Sequence, residues 1–184
     1  MAFKEQYPAI YKYLLSYKSK LLARNKAEVG IRYEWYALQR WGAKYWEDFS
    51  LPKIIYPNMT KYLPFVLDQK QFVTNQKCFI ITGEKLNYIT AFLNSSLFKY
   101  CYRDSFPELQ GGTRELSKVF FEGVKLAKVS DKQEHFFARM ITKAQQLPEG
   151  AQKKEIEIAI DRAIYDIHEL SEQEVKEIGF VEIV

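Results

Sequence analysis

From residue 51 to 82 the apolar residues come in short runs, Lys53-Ile54-Ile55-Tyr56, Phe65-Val66-Leu67, Phe72-Val73-Thr74 and Cys78-Phe79-Ile80-Ile81-Thr82, punctuated by proline and asparagine. After Gly83 the spacing changes, and Leu86, Ile89, Leu93, Leu97 and Tyr100 recur three or four apart. Short runs rich in β-branched and aromatic residues form strands, whereas a spacing of three and four lays an apolar stripe along a helix that must face a sheet. The change of period predicts an α+β fold: a small mixed or mostly antiparallel sheet packed with helices, preceded by an N-terminal helix and followed by a C-terminal helical bundle or spacer.

The flanks extend this pattern. Pro8, Ile10, Leu14, Tyr17 and Leu21 predict an amphipathic helix over about residues 8–23, with Lys12, Lys18, Lys20 and Arg24 on its other face. Pro107 and the Gly111-Gly112 pair mark a polar loop, and the alternation of Val124, Leu126 and Val129 with Lys125 and Lys128 predicts one or two further strands between Leu116 and Val129. In the last third, Ser130 with Gln133 and Ser171 with Glu174 have the spacing of capping boxes, and Gly179 supplies a stop. Ile156, Ile160, Ile164 and Ile167 stripe another helix between them. Three parts are expected: 1–46, an N-terminal helix and aromatic-basic connector; 47–129, an α/β core; and 130–184, a helical subdomain, with 47–184 as a single compact domain the alternative.

Charge is unevenly placed. The net balance is +6 over residues 1–70, +3 over 71–130 and −5 over 131–184. A basic body with an acidic end suits a polyanion-facing surface and a separate protein-facing or solvated end. Catalytic patterns are missing. Gly111-Gly112 follows a helix rather than opening one, so it is no phosphate cradle; His135 and His168 lie on different helices, and Cys78 and Cys101 have no metal-ligand spacing. Glu174-Val175-Lys176 has the spelling of a nuclease triplet without an upstream Pro-Asp, and there is no Asn-Pro-Pro-aromatic tetrapeptide of an adenine methyltransferase, only Pro57-Asn58 in the reverse order. The chain is expected to carry no metal and no catalytic residue. Two cysteines without a framework, no signal-type opening and no apolar run near the roughly 20 residues of a membrane span point to the cytoplasm.

What remains is the aromatic-basic segment from Arg32 to Trp46 and the loop Gln110-Gly111-Gly112-Thr113-Arg114. Arginine and glutamine make bidentate contacts with base edges; lysine, serine and threonine grip phosphates, and glycines admit close backbone approach. Arg40, Gln110, Thr113 and Arg114 are therefore the candidate base readers. Arg32, Lys44, Lys53, Lys61, Gly111, Gly112, Ser117 and Lys118 are candidate backbone contacts, and Trp35, Tyr36 and Trp41 candidate stacking aromatics. The same residues also read as a hydrophobic staple and a plain connecting loop.

Taken in order, Tyr7-Pro8-Ala9-Ile10-Tyr11, Trp35-Tyr36-Ala37-Leu38-Gln39-Arg40, Pro52-Lys53-Ile54-Ile55-Tyr56-Pro57, Phe79-Ile80-Ile81-Thr82-Gly83, Leu93-Asn94-Ser95-Ser96-Leu97 and Leu109-Gln110-Gly111-Gly112 resemble the TaqI-like C-terminal specificity domain. The closing run Ala163-Ile164-Tyr165-Asp166-Ile167-His168-Glu169-Leu170-Ser171-Glu172-Gln173-Glu174-Val175 is similar to that family's closing helix, Leu-Thr/Ser turn and acidic helix, so the resemblance runs over about residues 7–178. The resemblance implies a target recognition domain of a bacterial Type II, IIG-like restriction-modification enzyme. Such a domain binds double-stranded DNA beside an adenine-N6 methyltransferase domain of the same polypeptide. That neighbour uses S-adenosylmethionine, with magnesium where a nuclease is present, while this chain takes no cofactor. Base-reading side chains vary with the target, so none carries over by name. Two other readings of the residues stay open: a protein-interaction module without DNA readout, and a small enzyme with scattered catalytic groups.

Overall fold

The computed structural model describes residues 2–38, 45–62 and 64–180. Contacts divide the chain into two units, Met1–Trp46 and Glu47–Val184.

Among its described residues the first unit holds three short helices, α1 (Phe3–Gln6), α2 (Pro8–Leu15) and α3 (Lys18–Leu22), and the one helix that the sequence predicts over about 8–23 is split into α2 and α3. The break follows from Ser16. Its hydroxyl donates back to the Tyr13 carbonyl at 2.7 Å, and the N–H groups of Ser16 and Tyr17 reach only the carbonyls three residues back. That local competition tightens the turn and ends the helix. The apolar side is aromatic: Phe3 stacks on Tyr36 at 4.8 Å, and Tyr11 lies 5.8 Å from Trp35. Arg24 fastens this cluster by donating to the Trp35 and Ala37 carbonyls at 2.9 and 2.8 Å.

In the second unit β1 (Lys53–Pro57) is central, with β3 (Val66–Asp68) and β4 (Cys78–Ile81) antiparallel on either side; Ile55 faces Val66 and Ile54 faces Ile81. β2 (Met59–Thr60) pairs separately with β5 (Arg114–Glu115). The helices are α4 (Leu86–Asn94), α5 (Ser96–Tyr102), α6 (Lys118–Phe121), α7 (Asp131–Gln146), α8 (Ala151–Ile167) and α9 (Glu172–Ile178). The molecule is α+β with an antiparallel sheet, as its periodicity predicts. One core gathers Ile54 and Tyr56 from the sheet, Phe92 and Leu93 from α4, Phe98 from α5, Phe137 from α7 and Ile164 from α8. Burial pushes the Tyr56 phenol up to about 12.

β3 is an edge strand, and two helix amides close its outer side. Asn94 accepts from Phe65 N–H and donates to its carbonyl at 3.2 and 2.8 Å; Gln145 does the same for Leu67 at 2.9 and 3.0 Å. Backbone groups that would otherwise template another strand are thereby satisfied. The acidic last third also has a structural use. Glu134 on α7 accepts from the N–H groups of Asn87 and Tyr88 at the start of α4, and Asp161 on α8 accepts from Ser96 N–H and hydroxyl at the start of α5, at 2.9 and 2.6 Å. Carboxylates there answer orphan donors and the positive helix end. Burial raises the Asp161 carboxyl, with the Ser96 bonds opposing that rise.

Two strand expectations fail. Phe72-Val73-Thr74 is not a strand, because the Asp68 carboxylate takes the N–H groups of Lys70 and Phe72 at 2.8 and 2.9 Å and Gln71 sits in the left-handed region at φ 59°. Residues 116–129 form α6 and extended chain, with no strand among them. Phe121 packs 5.1 Å from both Tyr56 and Phe106, so core packing overrides the local alternation there. Both capping boxes are present: Ser130 accepts from Gln133 N–H and Ser171 from Glu174 N–H, at 3.3 and 3.4 Å.

Candidate nucleic-acid interface

The expected glycine loop is the tip of a β-hairpin. Glu108 bridges Arg114, Leu109 N–H donates to the Thr113 carbonyl at 2.7 Å, and Glu115 N–H donates to the Pro107 carbonyl at 3.1 Å. Gln110, Gly111 and Gly112 turn the chain between them. Gly111 and Gly112 have φ values of 78° and 75°, a consecutive left-handed pair that side-chain-bearing residues adopt only under strain. Space does not demand glycine at this turn, since a Cβ on Gly111 would meet nothing within 4 Å. Gln110 and Gly111 are exposed, and the half-buried Thr113 donates its hydroxyl back to the Gln110 carbonyl at 3.1 Å.

β2 runs along the other side of β5, opposing Thr60 to Arg114, and brings Lys61 beside the tip: its Cε would lie 4.0 Å from a Cβ on Gly112. Lys61 is exposed and makes no ion pair among the described residues. Half-buried Ser117 precedes α6, whose first residue, Lys118, is exposed with its ammonium 3.9 Å from Glu122. Gln110, Gly111, Gly112, Thr113 and Lys61 therefore share one neighbourhood of the second unit, and Ser117 and Lys118 follow β5 at the end of the ribbon away from the tip.

Arg114 does something other than expected. Its guanidinium turns inward, donating to the Phe106 carbonyl at 2.9 Å and to Asp104 and Glu108 at 3.1 and 3.4 Å, with the side chain 11% exposed. It braces the hairpin from behind, which corrects its assignment as a base reader. Lys53 is likewise corrected as a phosphate contact. It has no exposed surface, lies 2.6 Å from Asp68, and donates to the Phe49 carbonyl at 2.8 Å. Burial alone would push the Asp68 carboxyl up; the Lys53 hydrogen bond, the N–H groups of Lys70 and Phe72 and the Lys53 charge outweigh it and hold the carboxyl below its ordinary value. The sequence hid this because β1 reads as a surface-started strand, and nothing local links Lys53 with Asp68.

In the first unit, Trp35 is buried and Tyr36 half-buried against Phe3, so the expected stacking platform is that unit's own core, with Lys18 Nζ 5.5 Å over the Trp35 ring. Arg32 is exposed and paired with Glu28 at 3.0 Å. Arg40, Trp41 and Lys44 lie outside the described residues. No helix among the described residues is long and apolar enough to cross a membrane.

The TaqI-like C-terminal specificity domain family matches residues 8–122, more than half of the chain. The chain belongs to that family. The role that goes with it is DNA sequence specificity in restriction-modification enzymes, a role of discrimination rather than bond-making. The matched span of this specificity domain contains the sheet, the hairpin and Lys118, and stops before α7, α8 and α9. No curated protein matches the chain.

Proposed function

We propose that this specificity domain reads the target of a bacterial Type II, IIG-like restriction-modification enzyme by presenting its hairpin to duplex DNA, while an adenine-N6 methyltransferase domain of the same polypeptide performs the chemistry. The observation that carries the reading is the Gln110-Gly111-Gly112 tip, exposed at Gln110 and Gly111 and built on a two-stranded ribbon of the width the major groove admits. Gln110 has the amide that pairs with an adenine edge, and Thr113 beside it offers a hydroxyl. Lys61, Lys118 and Ser117 then take phosphates, with Gly111 and Gly112 leaving the backbone unobstructed. Arg32, Arg40, Lys44 and Trp41 are further candidate contacts. S-adenosylmethionine, and magnesium where a nuclease is present, belong to the neighbouring domains, and the enzyme works in the cytoplasm. Methylating an adenine requires it to leave the stack, and a module gripping both flanks holds the opened duplex.

Binding to fluorescent duplex DNA at two salt concentrations tests this, with the chain alone and joined to its methyltransferase domain. Counterion release gives a steep fall of affinity with salt, by about 0.9 in the log–log slope for each phosphate neutralised. Lys61→Ala with Lys118→Ala is expected to flatten that slope by close to two such increments, roughly 1.8. Absent binding in both formats, or binding indifferent to salt, overturns the reading.

A further inference from the structure

We infer that the loop from Gln69 to Lys77 is a second DNA-contacting element, in which Phe72 enters a base step while Lys70 and Lys77 take the flanking phosphates. The inference rests on the reading above and adds an element to it.

Phe72 and Val73 are 61% and 78% exposed, two neighbouring apolar side chains held in water. The loop is not slack around them. Asp68 clamps the N–H groups of Lys70 and Phe72, Gln71 is left-handed and donates its amide to the Ser50 carbonyl at 3.2 Å, and Asp68 is itself fixed by buried Lys53. A buried ion pair is a poor source of stability, and a left-handed glutamine is strained. Together they set the geometry from which Phe72 is displayed, which is preorganisation.

The surroundings select the ligand. Gln69-Lys70-Gln71-Phe72-Val73-Thr74-Asn75-Gln76-Lys77 contains two lysines, four amide side chains and no carboxylate. Lys70 and Lys77 are exposed and make no ion pair among the described residues. An apolar tip ringed by amides and flanked by cations suits stacked bases between phosphates, since apolar side chains wedge between base steps while lysines take the backbone. A protein groove complementary to Phe72 would leave both lysines unused unless it also supplied carboxylates, whereas a nucleic acid carries a phosphate on each side of every base step. Position agrees. β3 and β4 both run antiparallel to β1, so the loop crosses from the Lys53 end of the sheet to the Pro57 end. There Asn58 N–H donates to the Lys77 carbonyl at 2.9 Å, and the Asn58 carbonyl accepts from Leu116 N–H at 2.8 Å. Lys77 therefore lies beside the β2–β5 pair that carries the hairpin, while Asp68 and Ser50 hold Phe72 toward the Lys53 end of the sheet.

The probes are a perfect duplex and the same duplex with a one-nucleotide bulge, whose step is already unstacked. Wild type is expected to prefer the bulged duplex. Phe72→Ala keeps the wild-type melting temperature, because the side chain lies in solvent, and loses both the preference and roughly five- to a hundredfold in affinity, with its salt slope intact. Phe72→Trp restores both. Lys70→Ala with Lys77→Ala flattens the salt slope by roughly 1.8 yet retains the preference for the bulge. If Phe72→Ala binds both duplexes as wild type does, the wedge is overturned and the hairpin reading stands. If wild type binds neither duplex, alone or joined to its methyltransferase domain, the reading falls and the wedge with it.

Discussion

Burying an ammonium group calls for a counter-charge and for further acceptors, and Lys53 has Asp68 at 2.6 Å and the Phe49 carbonyl at 2.8 Å. Removing the cation while keeping its volume leaves the Asp68 carboxylate buried with only its two backbone donors. Lys53→Met is therefore expected to lower unfolding free energy at pH 7 by about 3–5 kcal/mol in urea titrations. The pH dependence gives the sign. In wild type the folded carboxyl lies below its unfolded value, so the stability that Asp68 contributes is fully present above pH of about 4 and is lost as pH falls through the folded value. In Lys53→Met burial is no longer outweighed, the folded carboxyl moves up, and protonation relieves the variant. Its deficit should thus shrink on acidification below pH of about 5. A deficit constant from pH 7 to pH 3 would mean that Asp68 is not the group left unpaired. In folded protein the same variant should leave the salt slope of DNA binding unchanged, since Lys53 reaches no surface.

At the scale of elements, Arg114 braces the hairpin alongside its ladder. Asp104, Phe106 and Glu108 all converge on one guanidinium, whereas Leu109–Thr113 and Glu115–Pro107 add single backbone hydrogen bonds. Arg114→Ala is expected to speed amide exchange at Leu109 and Glu115 and to weaken binding to all DNA sequences alike, because it loosens the ribbon that presents the reader. Gln110→Ala should leave exchange unchanged and alter the ranking among sequences. Each mismatched base pair in a specific site costs about 1–3 kcal/mol, and loss of one reader should erase discrimination of that size at one position. A selection from random duplexes, run on both variants, separates the two; a changed ranking with Arg114→Ala would restore it as a base reader. Elements whose cause is local were legible: Ser130 and Ser171 cap their own helices, and the runs at Lys53, Val66 and Cys78 became strands. Elements whose cause is distant were not. The turning of 69–77 depends on a carboxylate fixed by Lys53, fifteen residues before Asp68, and the course of 116–129 on rings from Tyr56 and Phe106. The acidity of the last third read only as a protein-facing or solvated end, and nothing local showed that Glu134 and Asp161 each cap a helix that lies 46 to 65 residues earlier in the chain.

For the whole molecule, the family match and the folding unit have different limits. The match ends at residue 122, but Phe137, Ile141, Ile160, Ile164, Tyr165 and Ile178 belong to the same buried cluster as Ile54 and Phe92. Gln145 also closes the edge of β3, and Glu134 and Asp161 hold the starts of α4 and α5. Cutting after Val129 would expose one face of α4, strip two helix starts of their acceptors and reopen an edge strand. A chain ending there is expected to lose cooperative thermal unfolding and to bind a hydrophobic dye, as compact states without fixed packing do. Removing residues 1–46 takes away none of the buried residues named above, so Glu47–Val184 should keep a single cooperative transition. Calorimetry on the two truncations decides between these limits. A cooperative 1–129 would show the terminal helices to be an appendage, and a non-cooperative 47–184 would show that the first unit supplies part of the second unit's stability.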